Sequence, residues 1–155
     1  MALRARDVMQ TSVATVQADT PLSHVGRFFV ETGIHGAPVV DETDRLLGVI
    51  SVTDLIRAVE ETHESGAGAA IYFRDLLEYS GPDWTSAPQD FQDRLEQVTA
   101  GEVMQPDVIT VTEDTSVPEI AKLMRENGIH RVIVVRDGQL VGLVSALDLV
   151  GLLEA

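Results

Sequence analysis

Cysteine is absent from the 155 residues, which excludes disulfides, thiolate metal sites and cysteine nucleophiles and fits a reducing compartment. Positive charge is scarce: eleven Lys and Arg stand against 25 Asp and Glu, and Lys122 is the only lysine. A net charge of −14 repels phosphate backbones, which argues against a free-standing nucleic-acid binder, and any anionic ligand must be gripped by local cationic groups. No run of about 18 apolar residues and no basic-then-apolar leader is present, so the expectation is a soluble cytoplasmic protein with no membrane partner. Aromatic residues make up only 5% of the chain, and five of the seven fall between Tyr72 and Phe91.

What the chain does have is repetition. Slid on itself by 95 residues, "DVMQTSVATVQADTPL" lies over "EVMQPDVITVTEDTSV" and "TGIHGAPVV" over "NGIHRVIVV". After a one-residue gap, "LLGVISVTDL" lies over "LVGLVSALDL". Two copies of one unit, 1–60 and 99–155, therefore flank an insert at 61–98. Units of this size rarely stand alone, so the two are expected to share a core.

Both copies read as β-α-β-β-α. A short strand (Val13 to Val16; Val108 to Val111) precedes a helix with Thr20 or Thr115 as the expected N-cap. Apolar residues at helical spacing follow: Leu22, Val25, Phe28 and Phe29 in one copy, Val117, Ile120, Leu123 and Met124 in the other. Gly33 and Gly128 suit left-handed helix ends. Asp137-Gly138 between apolar strands predicts a tight hairpin turn, and a second helix starts near Asp54 or Asp148. The expected fold is α/β, with two such repeats packed sheet to sheet about a pseudo-two-fold axis and a partly helical insert between them. In the insert, "IYFRDLLEY" and "DFQDRLEQV" predict two short amphipathic helices around "SGPDWTSAP", with Phe91, Leu95 and Val98 on one face. The insert has no repeat counterpart, which makes it the candidate for an element that moves when a ligand binds.

The third strand of each copy enters the second helix through Ser-x-x-Asp: Ser51 and Asp54, Ser145 and Asp148. A carboxylate in a first helical turn caps orphan N–H groups without any ligand. Placed twice at matched positions, it also suits two ribose hydroxyls, as the acidic residue of dinucleotide folds does, with the serine and helix N–H groups beside it for phosphate or sugar oxygens.

The doubled "VM…TV…DT…GIH-x-x-x-VV…G-x-x-S-x-x-D-L" resembles the cystathionine-beta-synthase (CBS) domain family, and the whole chain resembles a stand-alone CBS pair, or Bateman module. The insert has no match in that resemblance. It implies a regulatory, non-enzymatic sensor that binds AMP, ADP, ATP or S-adenosylmethionine in clefts between the repeats, needs no cofactor, forms a homodimer and signals to an effector protein. Carried over, Asp54 and Asp148 take ribose hydroxyls, with Ser51 and Ser145 beside them. Thr15 and Thr110 line the adenine with backbone near Ile34, His35 and Pro38, or near Ile129, His130 and Ile133. "IHR" also resembles the phosphate-gripping His-Arg of the AMP-activated kinase gamma subunit, which points to His130 and Arg131.

A guanidinium can hold phosphate through two parallel hydrogen bonds, and the first copy has Gly36 where the second has Arg131, so the two sites are expected to be unequal. A surface pairing of Arg131 with Glu126 is the alternative. His24, His35, His63 and His130 lack metal-ligand spacing. No nucleophile elbow, Walker loop or activated serine is evident, so an enzyme is not expected. The other reading is a structural or interaction protein with degenerate clefts.

Overall fold

The computed structural model describes residues 2–60 and 89–154. Two compact units emerge. Unit 1 comprises Met1–Ala14, Glu42–Leu46 and Asp107–Ala155; unit 2 comprises Thr15–Asp41 and Leu47–Pro106. Each unit therefore takes its leading "VMQ" segment from the other sequence copy.

In unit 2, β1 (Val16–Gln17) leads to α2 (Leu22–Thr32), β2 (Gly36–Val40), β3 (Leu46–Ser51) and α3 (Val52–Glu60), following a first helix α1 (Ala5–Val8) that belongs to unit 1. The strands form a sheet ordered β1-β2-β3, with β1 and β2 parallel. Helices α4 (Gln89–Gln97) and α5 (Ala100–Val103) complete the unit. In unit 1, β4 (Thr110–Val111), α6 (Val117–Asn127), β5 (Arg131–Arg136), β6 (Gln139–Ser145) and α7 (Ala146–Gly151) repeat the order. Their sheet runs β4-β5-β6, with β4 parallel and β6 antiparallel to β5. The β-α-β-β-α reading holds in both copies.

Gly33 (φ 69°) and Gly128 (φ 62°) end α2 and α6 in the left-handed region. Glycine enters that region without the Cβ clash that costs other residues roughly 1 kcal/mol. Asp137 and Gly138 both have positive φ, as a two-residue mirror-image hairpin turn needs. The starts of the elements differ from expectation. Of the expected first strands only Val16 is paired in the first copy, in β1, and only Thr110 and Val111 in the second, in β4. The N-caps are Pro21 and Ser116, one residue later than Thr20 and Thr115; in the second copy the Thr115 hydroxyl instead accepts the Thr112 N–H at 3.1 Å.

Each unit has its own buried cluster. In unit 2, Leu22, Val25 and Phe29 of α2 pack with Val39, Ile50, Leu55 and, from α4, Leu95, while Val98 follows α4 into the same cluster. Leu95 is fully buried, so the C-terminal end of the insert is core. The insert expectations for Tyr72, Phe73, Tyr79 and Trp84 lie outside the described residues, as does the side chain of Phe91. In unit 1, Ala5 of α1 packs with Val111, Ile120, Met124, Val132, Val134 and Val144. Burying a side chain of this size contributes about 1.5–3 kcal/mol.

Helix α7 has no buried residue. Leu147 and Leu153 stay 80% and 83% exposed.

Candidate functional site

Alternation along the strands sorts the unit 1 residues. Val132, Val134 and Val144 point into the cluster under α6, so Arg131, Ile133 and Ser145 lie on the other face. Arg131 pairs directly with Ser145, and Thr110 with Ile133. Directly paired residues share a face, which puts Thr110, Ile133, Arg131 and Ser145 together. Ile133 is buried, whereas Thr110 and Arg131 are exposed. The Ala146 N–H donates to the carbonyl of His130 at 2.7 Å, which holds the His130-Arg131 corner against the start of α7. Ile129 is fixed by the helix end before it, its N–H donating to Met124 at 3.0 Å.

Ser145 caps α7. Its N–H donates to Asp148 Oδ2 at 2.8 Å, and its hydroxyl accepts the Asp148 N–H at 3.1 Å. The reciprocal cap accounts for one carboxylate oxygen. The other, Oδ1, accepts from Gln10 Nε2 at 3.1 Å, with Oδ2 at 3.3 Å from the same nitrogen. Burial opposes ionisation of Asp148, but the Ser145 N–H, the Gln10 amide and the Ser145 side chain outweigh it and hold the carboxyl below its ordinary pKa. Asp148 is thus a half-buried anion held by Ser145, which is itself the strand partner of the exposed Arg131. Glu126 pairs with Lys122 at 3.9 Å, and among the described residues Arg131 makes no ion pair.

Unit 2 repeats the scaffold. Ser51 N–H and Oγ donate to Asp54 Oδ2 at 2.8 and 3.1 Å, and the Val52 N–H donates to the carbonyl of His35 at 3.0 Å. Gly36 and Pro38 alternate with Ala37 and Val39, which enter the core, and so occupy the opposite face. An added Cβ on Gly36 would sit 3.7 Å from the Ser51 Cβ, the relation that Arg131 bears to Ser145. Ile34 and Thr15 are half-buried and His35 is exposed. Here Asp54 is only 4% exposed, and its Oδ1 accepts from Gln105 Nε2 at 3.1 Å and Arg57 Nη1 at 3.2 Å.

Gln10 and Gln105 are the residues that sequence reasoning passed over. Each extends the sheet edge by a single bridge. Gln10 exchanges backbone hydrogen bonds with Leu143 at 2.8 and 2.9 Å, and Gln105 with Val49 at 2.8 and 3.0 Å. That approach needs glycine alongside, since a Cβ on Gly142 would meet Met9 Sδ at 2.6 Å, and one on Gly48 would meet the Gln105 carbonyl at 2.6 Å. The signal was present as the doubled Met-Gln and the doubled glycine of "GVIS" and "GLVS".

The CBS domain profile matches residues 5–61 and 100–155, most of the chain and both copies. The chain belongs to the CBS domain family. The chain is 32% identical, over 94% of its length and 88% of the relative's, to the uncharacterized protein MJ1426 of Methanocaldococcus jannaschii. The solved CBS domain of a CBS domain-containing membrane protein from Sphaerobacter thermophilus is 34% identical, with a TM-score of 0.66, over 97% of this chain and 88% of that one. CBSX2, solved in complex with AMP, shares the CBS pair fold at 23% identity and a TM-score of 0.69, over 98% and 96% of the two chains. Among the described residues no cluster of His, Asp or Glu could hold a metal ion, and no helix is long and apolar enough to cross a membrane.

Proposed function

We propose that this CBS pair is a regulatory, non-enzymatic module that binds an adenosine nucleotide at the serine-aspartate helix starts. The observation that carries the reading is the grouping in unit 1 of an ionised, half-buried Asp148 with Ser145 and the exposed Arg131 at one end of one sheet. Asp148 would accept ribose hydroxyls, Ser145 would sit beside the sugar, and Arg131 and His130 would face phosphate. Thr110 and the backbone at Ile129 and Ile133 would border the base. Thr15, Ile34, His35, Pro38, Ser51 and Asp54 form the equivalent set in unit 2. CBSX2 with AMP supports the ligand class, and S-adenosylmethionine is the other ligand that the family resemblance implies. The exposed Leu147 of α7 and Leu153 just after it support a homodimer or an effector contact at this end of unit 1. The proposed setting is the cytoplasm.

A thermal-shift panel of AMP, ADP, ATP, NAD and S-adenosylmethionine against wild type and Asp148→Ala tests the reading. A ligand at a hundred times its Kd adds about 2.7 kcal/mol, which raises the melting temperature by about 5–10 °C in a protein of this size. The shift should vanish in Asp148→Ala. The capping geometry at both serines favours one other reading, a structural or interaction protein, and a flat panel on folded protein would select it.

A further inference from the structure

The two aspartates occupy matched positions but face different competition. A carboxylate offers about four lone-pair sites. All four on Asp54 are taken by donors from within unit 2: Ser51 N–H and Oγ on Oδ2, Gln105 and Arg57 on Oδ1. The group is 4% exposed. Asp148 receives the Ser145 N–H and side chain and the Gln10 amide, with no charged donor on it, and it is half-buried. The glutamine and the serine are common to both copies, so they cannot cause the difference. Arg57 can, because its counterpart three residues after Asp148 is Gly151, which has open space around it.

We infer that Arg57 is an internal ligand mimic, a guanidinium supplied by the chain that fills the ribose-accepting edge of Asp54 and leaves Asp148 as the carboxylate open to a nucleoside. A diol reaching Asp54 must displace a charge-assisted donor, whereas at Asp148 it competes only with neutral ones. The inference rests on the proposed nucleotide-binding function and adds its stoichiometry and the residue that sets it. Gly36 is consistent with it, since the unit closed by Arg57 is also the one without a guanidinium for phosphate.

The test is calorimetric titration of AMP into full-length wild type, Arg57→Ala, Asp148→Asn and the double variant, with amide shifts of Ser51 and Ser145 followed by NMR. Expected are one AMP per chain in wild type with only Ser145 perturbed, none in Asp148→Asn, two in Arg57→Ala, and one in the double variant with Ser51 now perturbed. Arg57 is exposed, so its replacement leaves the core intact, and the melting curve checks this. Two AMP per chain in wild type, or weaker binding in Arg57→Ala, would overturn the inference while the nucleotide reading stands. Folded protein in which none of the four chains takes up AMP would remove both.

Discussion

Alanine at position 48 should destabilise the protein by about 2 kcal/mol. A Cβ there would lie 2.6 Å from the carbonyl oxygen of Gln105 and 2.9 Å from Met104 Sδ, where ordinary contact begins near 3.4 Å. Relief requires about 0.8 Å of movement by a backbone oxygen, and the Gln105 backbone is tied to Val49 by hydrogen bonds of 2.8 and 3.0 Å. Weakening two bonds of about 1 kcal/mol each, within the 1–3 kcal/mol typical of overpacking, gives that figure. The melting temperature would fall by about 4–8 °C. Gly142→Ala should cost less, because its first obstacle is the flexible Met9 Sδ, with the Gln10 carbonyl at 3.1 Å. Gly151→Ala, with nothing within 4 Å, should be neutral or slightly stabilising. Urea unfolding of the three variants measures the order. A Gly48→Ala loss below about 0.5 kcal/mol would refute the close-approach argument.

Leu95→Ala should cost about 2–5 kcal/mol, since Leu95 is fully buried in the unit 2 cluster; chemical denaturation showing a surface-like change would detach α4 from the core. For Asp148 the sign follows from its lowered pKa: its contribution is complete above the ordinary aspartate value of about 3.9 and is lost as pH falls through the lower folded-state value. The stability gap between wild type and Asp148→Asn should therefore narrow between pH 5 and pH 2, roughly the range in which a depressed aspartate titrates, and a gap that ignores pH would contradict the hydrogen-bonded anion.

Much of the fold was legible because its signals are local. The helix faces of α2 and α6, the glycines that end them and the Asp137-Gly138 turn each depend on residues within a few positions of one another, and the second copy repeats the helix faces and their terminal glycines. The serine-aspartate starts were legible for the same reason, although sequence could not separate a cap from a ligand site. The structure shows the cap to be real, and it engages mainly one oxygen of each carboxylate. The helices α1 and α5 and the glutamines behind them were missed because their partners are remote. Gln10 meets Asp148 across 138 residues, and Gln105 meets Asp54 across 51. No periodicity reports such a pairing. Thr99 and Glu102 did write a local start signal for α5, since the glutamate accepts the Thr99 N–H at 2.7 Å. Arg57 carries no repeat signal, because its equivalent in the other copy is Gly151.

The exchange of leading segments also sets an order of events. As the chain leaves the ribosome, everything that closes the Gln105 edge of unit 2 has been made by residue 106. Residues 1–14, although synthesised before any of unit 2, have to wait for β6 and α7 before they can pair with Leu143 and Asp148. The longer closure costs only about 0.9 kcal/mol more in loop entropy, so the penalty is one of timing more than of stability. A stretch made before unit 2 is placed after it, and a translation pause after residue 106 would hold one unit finished and the other without its sheet.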